Sequence, residues 1–183
     1  MHQQGLTVEV LATIDSTNTE LMRRARQGLT EPALLVALEQ TAGRGRMGKH
    51  WSSQPGDSLT FSLGLPLNPT DWSGLSLAVG VSVAESLSGL LSAASFPHTA
   101  RLVSLKWPND LWIDGDKTGG ILVETASSGG SRYAVIGIGI NIRPPQALPE
   151  RAGKPDGLSD APYSALPPAP PTGLALFAPS VDP

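Results

Sequence analysis

From Ile136 to Ile142 the chain alternates Ile, Gly, Ile, Gly, Ile, Asn, Ile. In an extended strand successive side chains point to opposite faces, so Ile136, Ile138, Ile140 and Ile142 share one face, and Gly137, Gly139 and Asn141 share the other. The isoleucine face requires a core. The glycine face is the unusual one, because glycine weakens a strand and marks close approach by a ligand or by another part of the chain. A ligand and a closely packed helix both account for it at this level.

The preceding segments supply partners for this strand. Asp114-Gly115-Asp116 reads as a tight turn and Ser127-Ser128-Gly129-Gly130 as a second reversal, so Leu102–Trp112, Lys117–Glu124 and Tyr133–Ile142 form an antiparallel meander. Further upstream, Leu6–Ile14, Ala33–Gln40 and Ser58–Leu67 have strand character. Two helices are expected. Thr17 and Glu20 are spaced as a capping box, opening a helix of about ten residues that ends at Gly28. From Leu75 to Leu91, apolar residues at Leu75, Val79, Val83, Leu87, Leu90 and Leu91 recur at helical spacing and predict a buried stripe with no chemistry of its own. After Arg143 the composition shifts: 11 of the 17 prolines lie in residues 144–183. That tail is expected to be extended or disordered, with Leu174–Phe177 as a short patch able to begin a docking helix.

Chemistry concentrates at Gln40-Thr41-Ala42-Gly43-Arg44-Gly45-Arg46-Met47-Gly48-Lys49-His50-Trp51. No acidic residue occurs between Glu39 and Asp57, while Arg44, Arg46 and Lys49 stand among three glycines. Glycines let backbone N–H groups approach an anion, and arginines add forked donors. Gly43-x-Gly45-x-x-Gly48 matches a dinucleotide fingerprint in form, yet Lys49 to Gly56 is turn chemistry and no helix opens there, so that interpretation is set aside. With a net charge of −3 and a pI near 5.5, the 183 residues do not describe a general nucleic-acid binder. Cysteine is absent, and His2, His50 and His98 are scattered. A metal would therefore arrive with a substrate or sit on carboxylates. No signal pattern and no apolar run of about 18 residues is evident, so nothing directs the chain out of the cytoplasm or into a membrane.

Taken together, the Ser16-Thr17-Asn18 corner, the Gly/Arg loop, Lys117 after a hairpin and the glycine-faced strand describe one pocket. It has neutral hydrogen-bonding groups at one end and three or four cations at the other. Its ligand would be an uncharged polar head on an apolar chain ending in an anion, at a phosphate-handling site.

The order Ser16-Thr17-Asn18, Gln40-x-x-Gly43-Arg44-Gly45-Arg46-x-Gly48-x-x-Trp51, Lys106-Trp107-Pro108-Asn109-Asp110, Lys117-x-x-Gly120-Ile121-Leu122-Val123-Glu124 and Gly137-Ile138-Gly139-Ile140-Asn141 resembles the catalytic domain of biotin protein ligases. The resemblance covers residues 6–143. It implies an α+β fold with a mixed, largely antiparallel sheet and helices packed on one face, like that of class II aminoacyl-tRNA synthetases and biotin protein ligases. The domain would span residues 1–143, followed by the proline-rich tail 144–183. Lipoate ligases share the fold, but the Gly-Arg-Gly-Arg loop and the Lys-Trp-Pro-Asn-Asp run favour biotin.

The implied reaction joins biotin and ATP as biotinyl-5′-adenylate, then passes biotin to a lysine of a carrier domain such as that of acetyl-CoA carboxylase. By the resemblance, Ser16, Thr17, Asn18 and Gln40 would meet the ureido ring, and Gly120, Leu122 and Gly137 would wall the bicyclic ring and valeryl chain. Arg44, Gly45 and Arg46 would meet carboxylate and phosphate, and Lys117 would bridge the two. Catalysis would rest on Lys117, Arg46 and Arg44. Asn109, Asn141 and Trp51 would join Arg46 and Lys117 at the nucleotide, and Asp110 would serve the magnesium accompanying ATP. The Gly/Arg loop would close over the adenylate. No N-terminal helix-turn-helix is present, so DNA is not an expected partner, and a homodimer is compatible with the resemblance. A non-catalytic module that only binds biotin or its adenylate is the alternative; an RNA-binding Gly/Arg protein fits the acidic balance poorly.

Overall fold

The computed structural model describes residues 5–93, 103–128, 131–144 and 171–177. Its elements are β1 (Thr7–Ile14), α1 (Thr17–Arg26), β2 (Ala33–Gln40), β3 (Ser58–Pro66), α2 (Leu75–Ala93), β4 (Val103–Lys106), β5 (Asp110–Ile113), β6 (Asp116–Ser128) and β7 (Ser131–Asn141). They form one seven-stranded sheet in the order β1-β2-β3-β7-β6-β5-β4. Only β1 and β2, joined across α1, run parallel; every other neighbouring pair is antiparallel. The expected mixed, largely antiparallel sheet is present, and the alternating strand β7 lies at its centre.

The helices do not share a face. α1 buries Leu21, Met22 and Ala25 against Leu35, Tyr133 and Val135, whereas α2 buries Ala84, Leu87 and Leu91 in the cluster holding Ala134, Ile136, Ile138 and Ile140. Tyr133 and Val135 alternate with Ala134 and Ile136 along β7, so the two clusters lie on opposite sides. The expectation of helices on one face is thereby corrected: both faces of the central strand are apolar over part of their length, and each needs cover.

Local signals fix the ends of α1, with one shift. Ser16 is the N-cap, in extended conformation, and its hydroxyl accepts the Thr19 N–H at 3.4 Å. The Thr17/Glu20 capping box is displaced by one residue, because the Glu20 carboxylate turns to Arg23 and Arg24 instead. Gly28, at φ +84, ends the helix. Arg24 also makes a paired contact to Glu9 at 2.6 and 3.0 Å, tying α1 to β1. That hydrogen bond holds the Glu9 carboxyl below its ordinary range. A depressed carboxyl contributes stability above its unfolded pKa, which is lost as pH falls through the folded value. At these exposures the contribution is no more than about 1 kcal/mol.

On α2 the buried line runs through Gly80, Ala84, Leu87 and Leu91, where a Cβ at Gly80 would stand 2.9 Å from Leu105 Cδ2. Leu90, expected in the stripe, is 67% exposed, since it lies a hundred degrees around the helix from Leu91. Among the described residues α2 is the one helix long and apolar enough to cross a membrane, with mean hydropathy 1.5 over Leu75–Ser92. Leucine, valine and alanine set that average, while Glu85 and five serines interrupt the window, so it is not a continuous apolar run. The inner line of the same helix is packed on the sheet.

The first arm of the meander is itself two strands. β4 and β5 pair with each other around Trp107-Pro108-Asn109, where Pro108, after a cis peptide bond, cannot donate to a ladder. The β5–β6 turn has Asp114 at φ 51 and Gly115 at φ 90, two successive left-handed residues as a two-residue hairpin requires. Of the proline-rich tail, residues 145–170 and 178–183 lie outside the described residues. Residues 171–177 return to the sheet, with a 3₁₀ turn at Leu174–Leu176 whose Leu174 packs with Phe177 against the α2-side core. The expectation for the tail is extended or disordered chain with a short helical patch at Leu174–Phe177, and the described residues show an extended bridge at Pro171 followed by one 3₁₀ turn at that patch.

Candidate functional site

A cavity of about 480 Å³ opens on the α1 side of the sheet, bounded by the start of α1, the Gly/Arg loop, the Trp107–Asp110 turn and the glycine face of β6 and β7. Its volume suits a small organic ligand. All the expected site residues line it except Asn141. Asn141 shares the glycine face but stands one step further along, buried opposite Ser58, whose hydroxyl bonds to Ser53 of the segment crossing there.

The neutral end is braced from within. Thr17 N–H and Oγ1 both donate to Gln40 Oε1, at 2.7 and 3.1 Å. Ser62 Oγ lies 2.7 Å from Thr17 Oγ1 and 2.6 Å from Asn18 Oδ1. Asn18 Nδ2 donates to Leu122 O at 3.3 Å and to Glu124 Oε2 at 3.0 Å. These groups are nearly fully buried, and buried polar atoms left unpaired are costly. Thr17 and Asn18 are thus braced by protein partners, and these contacts do not use the Gln40 amide N–H₂ or the Ser16 hydroxyl proton.

The glycine face is explained by the protein's own side chains. A Cβ on Gly137 would overlap Asn18 Oδ1, and one on Gly139 would lie 2.5 Å from Trp51 Cε2 and Cζ2. The Trp51 indole Nε1 is buried without a hydrogen-bond partner. Behind Trp51 the loop closes on itself as a small hairpin: Trp51 N–H donates to Gly43 O at 2.9 Å and Gly45 N–H to Lys49 O at 2.7 Å. Met47 at φ 55 and Gly48 at φ 72 make its tip.

At the other end Lys117 Nζ donates to Asp110 Oδ1 at 2.8 Å, and Arg46 Nη1 to Asn109 Oδ1 at 3.2 Å. Asn109 in turn donates to Ile121 O at 2.9 Å. Arg44 is not in this group. Its guanidinium donates to Thr19 Oγ1 at 3.4 Å and Glu124 Oε1 at 2.8 Å, beside the braced amides. The expected segregation into a neutral end and a cluster of three or four cations is corrected accordingly, because the Glu124 carboxylate draws one arginine away. Among the described residues no cluster of three metal-binding side chains occurs. Asp110 offers one carboxylate, which fits only an ion carried in by phosphate oxygens.

Residues 10–141 match the sequence profile described as the Biotin/lipoate A/B protein ligase family. The chain belongs to that family. It is 34% identical over 139 residues to the biotin--[acetyl-CoA-carboxylase] ligase of Mycobacterium tuberculosis, covering 74% of this chain and 49% of that protein. With the bifunctional ligase/repressor BirA of Escherichia coli it shares 41% identity over 141 residues, covering 75% and 41%. Among solved structures, the biotin protein ligase from Aquifex aeolicus in complex with biotin and ATP matches with TM-score 0.58 and 35% identity over 79% of this chain and 55% of that one. A variant of the Aquifex ligase in complex with biotin matches with TM-score 0.62 and 29% identity, over 96% and 62%. The chain thus spans about half the length of the curated relatives it matches.

In this family member the tail residues hold the cationic end. Thr172 N–H donates to Lys117 O at 2.8 Å, and Ala175 N–H to Ile142 O at 2.7 Å. Gly173 fits beneath them, where a Cβ would stand 2.6 Å from Ile142 O. Gly173→Ala should therefore lift the segment off the strand ends, costing about 1–3 kcal/mol. A lowered Tm, with faster hydrogen exchange at Thr172 and Ala175, is the expected readout; unchanged exchange at both would refute the packing argument.

Sequence reasoning passed over four contributors to the site. Thr60 and Ser62 are buried on β3 and present hydroxyls to the pocket side. Their signal was available, since Ser58, Thr60 and Ser62 alternate with apolar residues in Ser58–Pro66. Glu124 ended a quoted motif without a role. Trp107, 82% exposed at the cavity rim, gave no periodic signal because it lies in a turn.

Proposed function

We infer that this chain carries the catalytic domain of an ATP-dependent biotin protein ligase, forming biotinyl-5′-adenylate and transferring biotin to a lysine of a biotin carboxyl carrier domain. The observation that carries the reading is a single cavity with buried amide and hydroxyl groups at one end and Lys117 and Arg46 at the other. Biotin has the matching shape: a neutral ureido head, an apolar chain and a terminal carboxylate. Relatives solved with biotin and with ATP support the same assignment.

In the first step the biotin carboxylate oxygen attacks the α-phosphorus of ATP, the acyl–phosphate bond forms and pyrophosphate leaves. Two anions must approach, so fixed cations and positioning supply most of the catalysis. Lys117 stands between carboxylate and α-phosphate, Arg46 meets the phosphates, and Trp51 and Asn109 take the adenosine. Ser16 and Gln40 orient the ureido ring, with Gly120, Leu122 and Gly137 beside the ring and chain. In the second step the carrier lysine, as free amine, attacks the acyl carbon and AMP departs with the bonding pair, stabilised by the same cations. Asp110 would hold magnesium brought in with ATP, and the ion would supply neutralisation of phosphate charge there.

The test is biotin-dependent exchange of labelled pyrophosphate into ATP, followed by transfer of biotin to a purified acetyl-CoA carboxylase carrier domain. Biotin binding by titration calorimetry without exchange would instead favour a non-catalytic biotin-binding module. With biotin and ATP together, hydrogen exchange across residues 43–50 should slow as the loop closes over the reactive anhydride; an unchanged rate would reject closure.

A further inference from the structure

Glu124 stands where three parts of the site meet. It lies on β6 one step beyond Leu122 on the pocket face, paired in register with the fully buried Val135. Its side chain is 21% exposed. Each carboxylate oxygen has a different partner: Oε1 accepts from Arg44 Nη2 at 2.8 Å, and Oε2 accepts from Asn18 Nδ2 at 3.0 Å. Arg44 belongs to the Gly/Arg loop and Asn18 to the first turn of α1, which fills the space over Gly137. The second arm of Arg44 reaches Thr19 Oγ1, also in that turn.

We propose that Glu124 is a positioning residue that ties the Gly/Arg loop to the floor of the ligand pocket, coupling the two through one carboxylate. Its place in ligation rests on the function proposed above; the tie itself does not. The chemistry is specific to a carboxylate. Only an acceptor on both oxygens can receive an arginine and an amide N–H₂ at once, and a carboxamide would set its own N–H₂ against one of the two donors. With the carboxylate present, the Asn18 amide is locked with Oδ1 toward Ser62, and Arg44 is held beside α1, leaving Arg46 and Lys117 as the cations of the anion end. Ordering of the pocket floor and ordering of the loop then share one element.

The experiment uses the full chain and three variants, Glu124→Ala, Arg44→Ala and the double, with Glu124→Gln as the conservative control. Hydrogen exchange at residues 43–49, without biotin or ATP, should speed up about tenfold in each single variant, and the double should be no faster than either, as for residues acting through one contact. Exchange across β3 reports whether the variants are folded, and Glu124→Gln decides if the alanine variant is not. Additive effects in the double, or wild-type loop exchange in Glu124→Gln, would overturn the proposal. Biotin affinity should weaken in Glu124→Ala more than in Arg44→Ala, since only the former frees the Asn18 amide. Where pyrophosphate exchange is measurable, Glu124→Gln should lower kcat about tenfold to a hundredfold, more than it raises KM for ATP. A chain inactive in pyrophosphate exchange but showing the non-additive loop response would reject the ligase reading and keep the tie. An active chain with additive responses would do the reverse.

Discussion

Lys117→Ala should reduce adenylate formation by about two to three orders of magnitude, the scale seen when one preorganised charge-stabilising donor is removed. The structure sharpens why. Lys117 Nζ is bonded to Asp110 Oδ1 at 2.8 Å, so the variant loses a cation and also leaves a carboxylate facing two incoming anions. Lys117/Asp110→Ala should consequently be less impaired than Lys117→Ala alone. Lys117→Arg should recover little, since a planar fork does not occupy the place of a compact ammonium. The pair is about one-third exposed on the lysine side, and its loss should change stability by no more than about 1 kcal/mol. A thermal melt therefore separates lost catalysis from lost folding. Carrier biotinylation by Lys117→Ala at the wild-type rate would remove Lys117 from the mechanism.

Gly139→Ala should be comparably damaging by a different route. The added Cβ would meet the fused ring of Trp51 at 2.5 Å, closer than nonbonded carbons approach. Trp51 cannot yield by rotating a flexible tip, because its rigid ring lies against Gly139 of β7 while its backbone N–H donates to Gly43 O. The cost is about 1–3 kcal/mol in stability, together with a loop displaced from the cavity. Gly120→Ala, in register with Asp110 across β5 and β6 in the pocket wall but with its added Cβ 3.8 Å from the nearest Trp51 atom, should be nearly silent in stability. Gly137→Ala displaces Asn18 and should weaken biotin binding, whereas Gly139→Ala should weaken ATP binding. Calorimetric titrations with each ligand distinguish them; equal behaviour of the Gly120 and Gly139 variants would show that the ring is not the obstacle.

Much of this arrangement was legible because its signals are local. The period-two isoleucines gave β7 and its buried face, Asp114-Gly115 gave the hairpin, and Ser16 to Gly28 gave a helix of the observed length. Five short motifs in order gave the cavity lining, and all the residues chosen from them line it apart from Asn141. Where the reading went astray, the deciding fact was non-local. Leu90 obeys helical spacing yet faces out, because the sheet contacts α2 along the line of Gly80 and Ala84. Asn141 shares the face of Gly137 and Gly139 but lies beneath the segment that carries Ser53.

By itself the sequence determined which residue types gather here, the period of each element and the family to which the domain belongs. Those are properties of neighbours along the chain and of motif order. Tertiary structure alone decided what each polar group is bonded to. Arg44 and Arg46 are two residues apart in one loop and look equivalent in sequence, yet one is held by Glu124, eighty residues away, and the other by Asn109. A charge has no partner until folding brings one within hydrogen-bond reach and removes competing water, and that step separates a brace from a cation left facing the ligand.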